Sequence, residues 1–265
     1  MQDYMMFWII FAKENLYIGM KRSILFGISA VMMLMFTGCS SSDNDLDRDI
    51  DEGALLSQTE PLYKEYFSID DLPHSEKTVG TWKFRMAGDY IREASFSFFG
   101  DASTYANAPA SAEAFFEEYL PITQDNKLVL TDEHTSSGIP QKIYRQYYKG
   151  IEGPGFYQCL YQADGKTLCL IQGLFTPIDN LDTNPRISEN LARRIAQAYI
   201  TKDEGEFKDY SMDSRLCIAS FIKDGQTYVH LVYYCSYTTE GWSHSYSATI
   251  DAHTGRVLSY GMGIA

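Results

Sequence analysis

The stretch that decides the fold runs from residue 185 to residue 200 and reads PRISENLARRIAQAYI. Ser188 is a favourable N-cap, because its hydroxyl can accept a backbone N–H of the first turn. Glu189 follows in that turn, where the helix dipole stabilises a carboxylate. Apolar side chains then recur at helical spacing and predict one buried stripe, which consists of Leu191, Ile195, Ala198 and Tyr199. The stretch therefore predicts an amphipathic helix that packs on another layer.

Strand-like segments follow this helix. Residues 215–222, 227–237 and 246–251 are rich in the β-branched and aromatic residues that favour strands, and a short fourth segment covers 256–260. Asp224-Gly225 and the triplet at 253–255, HTG, supply turns between them. A helix followed by consecutive hairpins predicts an antiparallel sheet with the helix on one face.

The same order occurs upstream. Residues 111–120, SAEAFFEEYL, predict a helix that Ser111 caps, that carries Glu113 in its first turn and that ends at Pro121. Its apolar face consists of Phe115, Phe116, Tyr119 and Leu120. Alternating segments predict strands at 82–86, 94–99, 127–130, 141–148, 156–162 and 167–175.

This repeated order indicates an α+β fold class. We expect two tandem cystatin-like units, each a curved antiparallel sheet with one packed helix. The boundary is placed near residues 179–183, which gives one domain over 76–178 and a second over 179–265.

The N-terminal region has the parts of a secretory signal. A basic pair at residues 21–22 precedes an apolar run at 23–36, which is shorter than the roughly 20 residues of a membrane-spanning helix. The triplet that ends in Cys39 resembles the lipobox of bacterial lipoproteins, in which the cysteine thiol receives a diacylglycerol. This resemblance implies lipidation of Cys39 and an anchor in the cell envelope, at the outer membrane. Residues 1–39 form the predicted signal region, and Met20 is the expected true start.

Residues 40–75 are predicted to form an acidic, flexible tether. Aspartates alternate from 43 to 51, but an EF-hand loop needs Gly at its sixth position, where Arg48 or Glu52 would stand. Acidic residues directly after the cysteine also resemble the surface-export signal of Bacteroides-type lipoproteins. The formal charge of the chain is −13, which argues against binding to nucleic acid, because phosphates require basic patches.

Four cysteines follow the lipobox, and an exported protein permits disulfides. A three-residue hairpin loop with Gly165 in the left-handed region would place Cys159 across from Cys169, whereas a two-residue Asp-Gly turn would place the two thiols on opposite faces. Cys217 is expected to meet residue 231 or 232, which leaves Cys235 too far along the strand for a disulfide. Buried free thiols are the favoured interpretation, with the Cys159–Cys169 bond as the open alternative.

Several motifs resemble known propeptide domains. Residues 137–151, SGIPQKIYRQYYKGI, and the hairpin at 163–175 are similar to the fungalysin/thermolysin propeptide (FTP) domain. The helix at 184–196 and residues 246–258, YSATIDAHTGRVL, are similar to the PepSY domain, in which an aspartate-alanine-x-threonine-glycine turn is typical. These domains occur in tandem in the propeptides of secreted thermolysin-like zinc proteases, where they assist folding and inhibit the protease. The resemblance implies an FTP-like domain over 76–178 and a PepSY-like domain over 179–265.

Departures from the family pattern limit what it implies. The sequence contains no His-Glu-x-x-His motif and ends directly after the PepSY-like hairpin, so inhibition of a protease would have to act in trans. The FTP pattern usually continues from Lys-Gly-Ile into a Pro-Val strand. Residues 152–155 read EGPG here, which predicts a looser or longer turn.

Residue types for catalysis or metal binding occur without a matching spacing. The sequence has no Cys-x-x-Cys pair, no Gly-x-Ser-x-Gly elbow and no P-loop. His230 lies on a predicted strand and is interpreted as structural, with a metal site shared with Cys217 or Cys235 as the alternative. Turn polarity explains His253 better than a role as a base. The sequence therefore predicts no catalytic residue, no metal and no cofactor, and it leaves the binding residues unidentified.

We expect a membrane-anchored, non-catalytic envelope lipoprotein that binds another protein, such as a secreted protease that it regulates in trans. Binding would use an exposed sheet edge or the concave face of a sheet. The alternatives are a structural or glycan-associated surface lipoprotein and a hydrolase whose site is assembled from distant residues.

Overall fold

Two antiparallel sheets, each with a helix on one face, form the part of the chain that the computed structural model describes. The described residues are 46–47, 50–63, 72–79, 82–96, 109–204, 210–224, 226–239 and 244–264. They belong to a single compact unit, Ser41–Ala265. The predicted signal region, including Cys39, lies outside the described residues.

The first sheet has seven strands. They are β1 His74–Val79, β2 Trp82–Ala87, β3 Tyr90–Ser95, β4 Asn126–Ser136, β5 Ile139–Tyr148, β6 Ile151–Tyr161 and β7 Leu168–Leu174. Their order across the sheet is β1-β2-β3-β7-β6-β5-β4, so β1 and β4 form its edges. The strand predicted at 94–99 starts earlier, at Tyr90, because a turn at Gly88 and Asp89 returns the chain from β2. Residues 97–99 of that prediction lie outside the described residues.

One helix covers a face of the seven-stranded sheet. It is α2, Ala112–Tyr119, and the Ser111 hydroxyl accepts the N–H of Ala114 at 3.2 Å, as the sequence predicts. Phe115 and Phe116 are buried among aromatic rings of the sheet and of its flanking segment. The closest of these rings belong to Phe84, Phe96, Tyr144 and Tyr157. Burial of these rings stabilises the packing of α2 on the sheet.

The second sheet has four strands, and the helix that precedes them packs on it. The elements are α3 Glu189–Glu204, β8 Tyr210–Lys223, β9 Gln226–Thr239, β10 His244–Asp251 and β11 Val257–Ile264, and the strand order is β11-β10-β9-β8. Leu191, Ile195 and Tyr199 are buried, as predicted. Ala198 is only half-buried, and Ala192 and Ala196 are fully buried instead, so the buried stripe is rotated toward those positions. The α+β fold class is confirmed.

The β5–β6 hairpin joins the two sheets. Tyr148 and Ile151, on either side of its turn, pack into the core of the four-stranded sheet. Glu152 on β6 accepts hydrogen bonds from Arg145 on β5 and from Arg215 on β8, at 3.0 and 3.4 Å. The proposed division of the chain at residues 178 and 179 stays a prediction.

The prediction of a flexible tether over residues 40–75 is wrong for residues 50–63, which we call the strap. The strap contains a short helix, α1 Glu52–Leu56, which Asp51 caps by accepting the N–H of Ala54 at 3.1 Å. Ile50, Leu55 and Leu56 pack against the core beneath α3. The acidic composition hid this amphipathic pattern, because the charges face solvent while the few apolar residues face the protein.

The prediction of a looser or longer turn at residues 152–155 is also wrong. The turn of the β5–β6 hairpin is the two-residue pair Lys149-Gly150, and both residues have positive φ, 48° and 86°. Residues 153–155 lie in β6 instead, opposite Gln146, where the register shifts. The side chain of Gln146 is fully buried and bonds to Asn126 Oδ1 and to the main chain of Thr176. The small residues at 153 and 155 make room for this buried amide.

The cysteines in the described part of the chain are buried, and no disulfide joins any two of them. Cys159 pairs with Ile171 rather than with Cys169, because Gln162 and Thr167 close a four-residue loop and a bulge next to Tyr161 shifts the register by one further residue. Cys217 pairs with Val232, which confirms the predicted register and leaves Cys235 three residues further along β9. Burial raises the pKa of Cys235 to about 12, and it raises the pKa of Cys159 as well.

Candidate functional site

The edge strand β4 is eleven residues long, and among the described residues only β5 pairs with it. Most of its side chains are exposed, and among them are the apolar Val129 and Leu130, at 37% and 42%. An edge strand of this length offers a template on which an extended chain can add a strand. A register shift between Leu130 and Asp132 marks a bulge in its middle.

The β4–β5 turn fixes which residues of β4 face outward. The two-residue turn is Ser137-Gly138, both with positive φ, so Ser136 and Ile139 form the closing pair. The next pair is Thr135 with Pro140, and Pro140 has no N–H to give to β4. Since bonded and non-bonded pairs alternate in an antiparallel ladder, the N–H and C=O of Thr135 point away from β5, toward the open edge.

The turn between β10 and β11 is organised by Asp251. Its Oδ1 accepts the N–H of His253 and the N–H and hydroxyl of Thr254, at 2.8–3.0 Å. Its Oδ2 lies 2.8 Å from Nδ1 of His230 on β9. Burial by itself raises the pKa of Asp251, but these hydrogen bonds outweigh burial and the pKa lies below its ordinary value. The aspartate of the Asp-Ala-x-Thr-Gly motif is thus a buried carboxylate that ties two strands together.

His230 connects this carboxylate to the strap. Its Nε2 lies 2.9 Å from the hydroxyl of Tyr63, which is the last residue of the strap. The Tyr63 ring stacks on Phe221 with 4.5 Å between ring centroids and an interplanar angle of 6°. Tyr63 is 6% exposed, and burial together with the neighbouring Tyr228 and Asp251 raises its pKa. His230 is therefore a partnered structural histidine, in agreement with its interpretation from the sequence.

The strap crosses from one face of the four-stranded sheet to the other at the β10–β11 turn. On the α3 side, Glu52 forms an ion pair with Arg194 at 3.2 Å. At the turn, Gln58 accepts the N–H of Val257 at 3.0 Å and donates to the carbonyl of Gly255 at 3.1 Å. Beyond the turn, Leu62 and Tyr63 donate their N–H groups to the carbonyls of Val257 and Leu258, at 3.0 and 2.8 Å.

The order Tyr63–His230–Asp251 is that of a nucleophile, a base and an orienting carboxylate. Its environment opposes that chemistry, because the Tyr63 ring is packed between aromatic neighbours and its raised pKa disfavours the phenolate. In this arrangement the three groups hold the strap on the sheet.

The outer face of the seven-stranded sheet, opposite α2, carries a polar stripe across five strands. Gln158 donates to Gln141 at 2.6 Å, and Gln172 donates to Glu93 at 2.8 Å. Glu93 also lies 3.6 Å from Arg85. The exposed ring of Phe156, at 49%, lies beside this stripe. Such a face combines amide groups with an exposed apolar ring.

The other histidines occupy separate places. His74 contacts Arg92 at 3.4 Å, His134 contacts Asp132 at 3.0 Å, and Nε2 of His253 lies 3.9 Å from Asp182. Among the described residues, no three His, Cys, Asp or Glu side chains converge as a metal site. In the same part of the chain, no helix is long and apolar enough to cross a membrane.

Comparisons with known proteins find little. No protein-family model matches the sequence. No curated protein matches it. Among solved structures, the chain is similar to the Bacillus megaterium YpeB C-terminal domain, with 14% identity and a TM-score of 0.32, over 83% of this chain and 95% of that chain.

Reasoning from the sequence missed Gln58 and Tyr63 as contact residues. The signal that could have found them is the apolar group Pro61-Leu62-Tyr63, which interrupts an acidic stretch. Asp251 is recognisable in the sequence as part of a turn motif, but its contact with His230 could not be derived, because the two residues lie on different strands.

Proposed function

We propose that this protein is a non-catalytic, lipid-anchored envelope protein that binds a partner protein by adding a strand of that partner to β4. The observation that carries the proposal is the long, exposed edge of β4 with its outward N–H and C=O groups. Main-chain bonds to such an edge supply affinity, and side chains on alternate positions supply specificity.

Side chains near this edge are suited to recognition. Val129 and Leu130 offer apolar contact area, and Lys127, Asp132 and Glu133 flank them with charge. Charged residues on an edge strand discourage indiscriminate pairing of exposed sheets. Apolar side chains flanked by charges favour a partner strand with apolar residues and complementary charges over self-association through the same edge.

The resemblance to FTP and PepSY domains suggests the class of partner. Domains of this kind act on thermolysin-like peptidases, so a secreted peptidase regulated in trans is the partner that we propose.

The lipid on Cys39 is part of the same proposal. Seven residues separate Cys39 from Asp47, and eight steps of the chain span at most about 28 Å. On this proposal the folded part of the chain would begin close to the membrane.

The polar stripe on the outer face of the first sheet favours a second candidate, a surface protein associated with glycans. The half-buried amide side chains of Gln158 and Gln172 can bond to sugar hydroxyls, and Phe156 can pack on a sugar ring. The β4 edge favours the first candidate, because main-chain groups of a strand match a peptide better than a glycan.

The experiment that tests strand addition compares two variants of Thr135 in the full chain. Thr135→Pro removes the outward N–H without breaking a bond to β5, and edge strands tolerate proline at such positions. Thr135→Val changes the side chain and keeps the N–H. Each protein is used to capture partners from the native envelope, and captured peptidases are assayed with and without added protein.

Strand addition predicts that wild type and Thr135→Val capture the same partner, whereas Thr135→Pro does not. A captured peptidase that loses activity when the purified protein is added supports regulation in trans. Capture of the same partner by Thr135→Pro would contradict binding at β4. Turnover by the purified protein, or a stoichiometric zinc ion bound to it, would overturn the non-catalytic assignment.

A further inference from the structure

The strap binds the four-stranded sheet in the way that a separate peptide would. Its segment 58–63, QTEPLY, belongs to neither sheet, and Tyr63 precedes His230 by 167 positions in the sequence. The segment bonds largely to main-chain atoms of the sheet, through Gln58, Leu62 and Tyr63. Tyr63 then fills a pocket on the face opposite α3.

The pocket matches a tyrosine side chain in shape and in chemistry. Phe221 provides a flat surface on which the ring stacks, and His230 meets the ring at an edge, with 5.8 Å between centroids. Nε2 of His230 bonds to the phenol hydroxyl, and Asp251 fixes the imidazole from the other side. A phenylalanine would lose the hydrogen bond, and an aliphatic residue would lose the stacking.

We propose that this pocket is a receptor for a tyrosine in an extended segment of a partner protein, and that Tyr63 is its resident occupant. The strap then acts as an internal competitor that the partner displaces. This site is separate from the β4 edge.

The strap owes its position to contacts outside itself. Its helix α1 has five residues and no buried side chain, and a helix of this length has little stability of its own. The docking contacts that hold the strap include those of Leu55 and Leu56 with the core of the second sheet and those of the buried Tyr63. A segment held by docking contacts opens locally at lower free energy than the core of a domain.

Once the strap leaves, the pocket favours a new occupant. Cys217, Phe221, Val232 and Leu258 form one buried cluster with Tyr63. Departure of Tyr63 would expose this apolar surface to water, which is unfavourable. A partner segment with a tyrosine at the matching position would restore both the burial and the hydrogen bond to His230.

The test uses the full chain with Tyr63→Ala and the synthetic peptide QTEPLY as the probe. Binding is measured by fluorescence anisotropy of the labelled peptide, and QTEPLA serves as the matched control. We expect the Tyr63→Ala protein to bind QTEPLY about tenfold or more tightly than QTEPLA, because only QTEPLY has a tyrosine ring to bury in the pocket. We expect wild type to bind QTEPLY at least about tenfold more weakly than Tyr63→Ala does, because its own strap occupies the pocket.

Equal binding of QTEPLY and QTEPLA, or no binding of QTEPLY to a Tyr63→Ala protein with a native circular dichroism spectrum, would overturn the proposal. If Tyr63→Ala does not fold, Gln58→Ala is tested instead. This substitution removes the side-chain hydrogen bonds of Gln58 to Gly255 and Val257, which loosens the strap, and it leaves the residues of the pocket unchanged. QTEPLY should then bind Gln58→Ala more tightly than wild type, and unchanged binding contradicts displacement.

Two controls separate displacement of the strap from binding at the β4 edge and from exchange of straps between copies. Thr135→Pro, added to the Tyr63→Ala protein, alters the β4 edge and should leave the affinity for QTEPLY unchanged. The proposal for the β4 edge and the proposal for the pocket are therefore tested independently. The mass of Gln58→Ala in solution is measured over a range of concentrations. A concentration-dependent dimer that QTEPLY dissociates would assign the pocket to the strap of a second copy and contradict a separate partner.

Discussion

Asp47 accepts two hydrogen bonds from Ser188, one from its backbone N–H at 2.9 Å and one from its hydroxyl at 2.6 Å. Ser188 is also the N-cap of α3, since its hydroxyl oxygen accepts the N–H of Leu191 at 3.1 Å. The carboxylate of Asp47, 141 positions earlier in the sequence, thus completes the N-cap of α3, the helix that packs on the second sheet.

Replacement of Asp47 should destabilise the fold. Asp47→Ala removes a charged acceptor at the positive end of α3, so we expect the free energy of unfolding to fall by about 1–2 kcal/mol. Denaturant unfolding measures the change. Asp179→Ala, at an exposed position, is the control and should change the stability by less than about 0.5 kcal/mol. Equal effects of the two substitutions would contradict a capping role for Asp47.

Acid should destabilise the protein partly through Asp251. Its pKa is lower in the folded state than in the unfolded state, so its contribution is fully present above the unfolded value, about 4, and is lost as the pH falls through the folded value. Asp251→Asn should therefore be less stable near neutral pH and should lose less stability on acidification from about pH 5 to pH 3. Parallel stability curves of wild type and Asp251→Asn would contradict this origin of the acid sensitivity.

Gly155 should not accept a side chain. A Cβ at this position would overlap Oε1 of Gln146 and would lie 2.6 Å from the carbonyl oxygen of Leu174. We expect Gly155→Ala to lower the free energy of unfolding by about 1–3 kcal/mol, the cost of overpacking. At Gly153 the closest atom would be Cγ of Gln146 at 3.2 Å, so Gly153→Ala should cost less. A larger loss for Gly153→Ala would show that residues 153–155 do not pack around Gln146.

The buried thiols should be unreactive in the folded protein. Burial raises the pKa of Cys159, Cys217 and Cys235, which lowers the fraction of reactive thiolate at neutral pH. In a chain with Cys39→Ser, a thiol reagent should label these residues slowly in buffer and rapidly in denaturant. Rapid labelling in buffer, or a disulfide found by mass spectrometry, would contradict this prediction.

Local signals in the sequence predicted the regular elements well. Ser111 and Ser188 identified the starts of α2 and α3, because N-capping depends on residues that are close in sequence. The turn at Asp224 restricted the partner of Cys217 to residue 231 or 232, and the structure has Val232, since the pairing of β8 with β9 runs without a register shift.

Features that depend on distant contacts could not be predicted in the same way. Average composition suggested a solvated tether for the strap, but Tyr63 gains its place from Phe221 and His230, which no local pattern reveals. Residues 153–155 contain strong turn formers, and their place in β6 follows from the space that Gln146 needs.

If a partner strand pairs with β4 as proposed, the shift between Leu130 and Asp132 limits the length of the peptide motif that can bind there. It divides the edge into residues 126–130 and 132–136, and an uninterrupted guest strand can keep its pairing along one of these halves at a time. A recognition sequence for this edge should thus be about five residues long, with side chains alternating toward the two sides of the sheet. A longer guest would need an extra residue of its own opposite Thr131, and the spacing of conserved positions in a family of such ligands would reveal it.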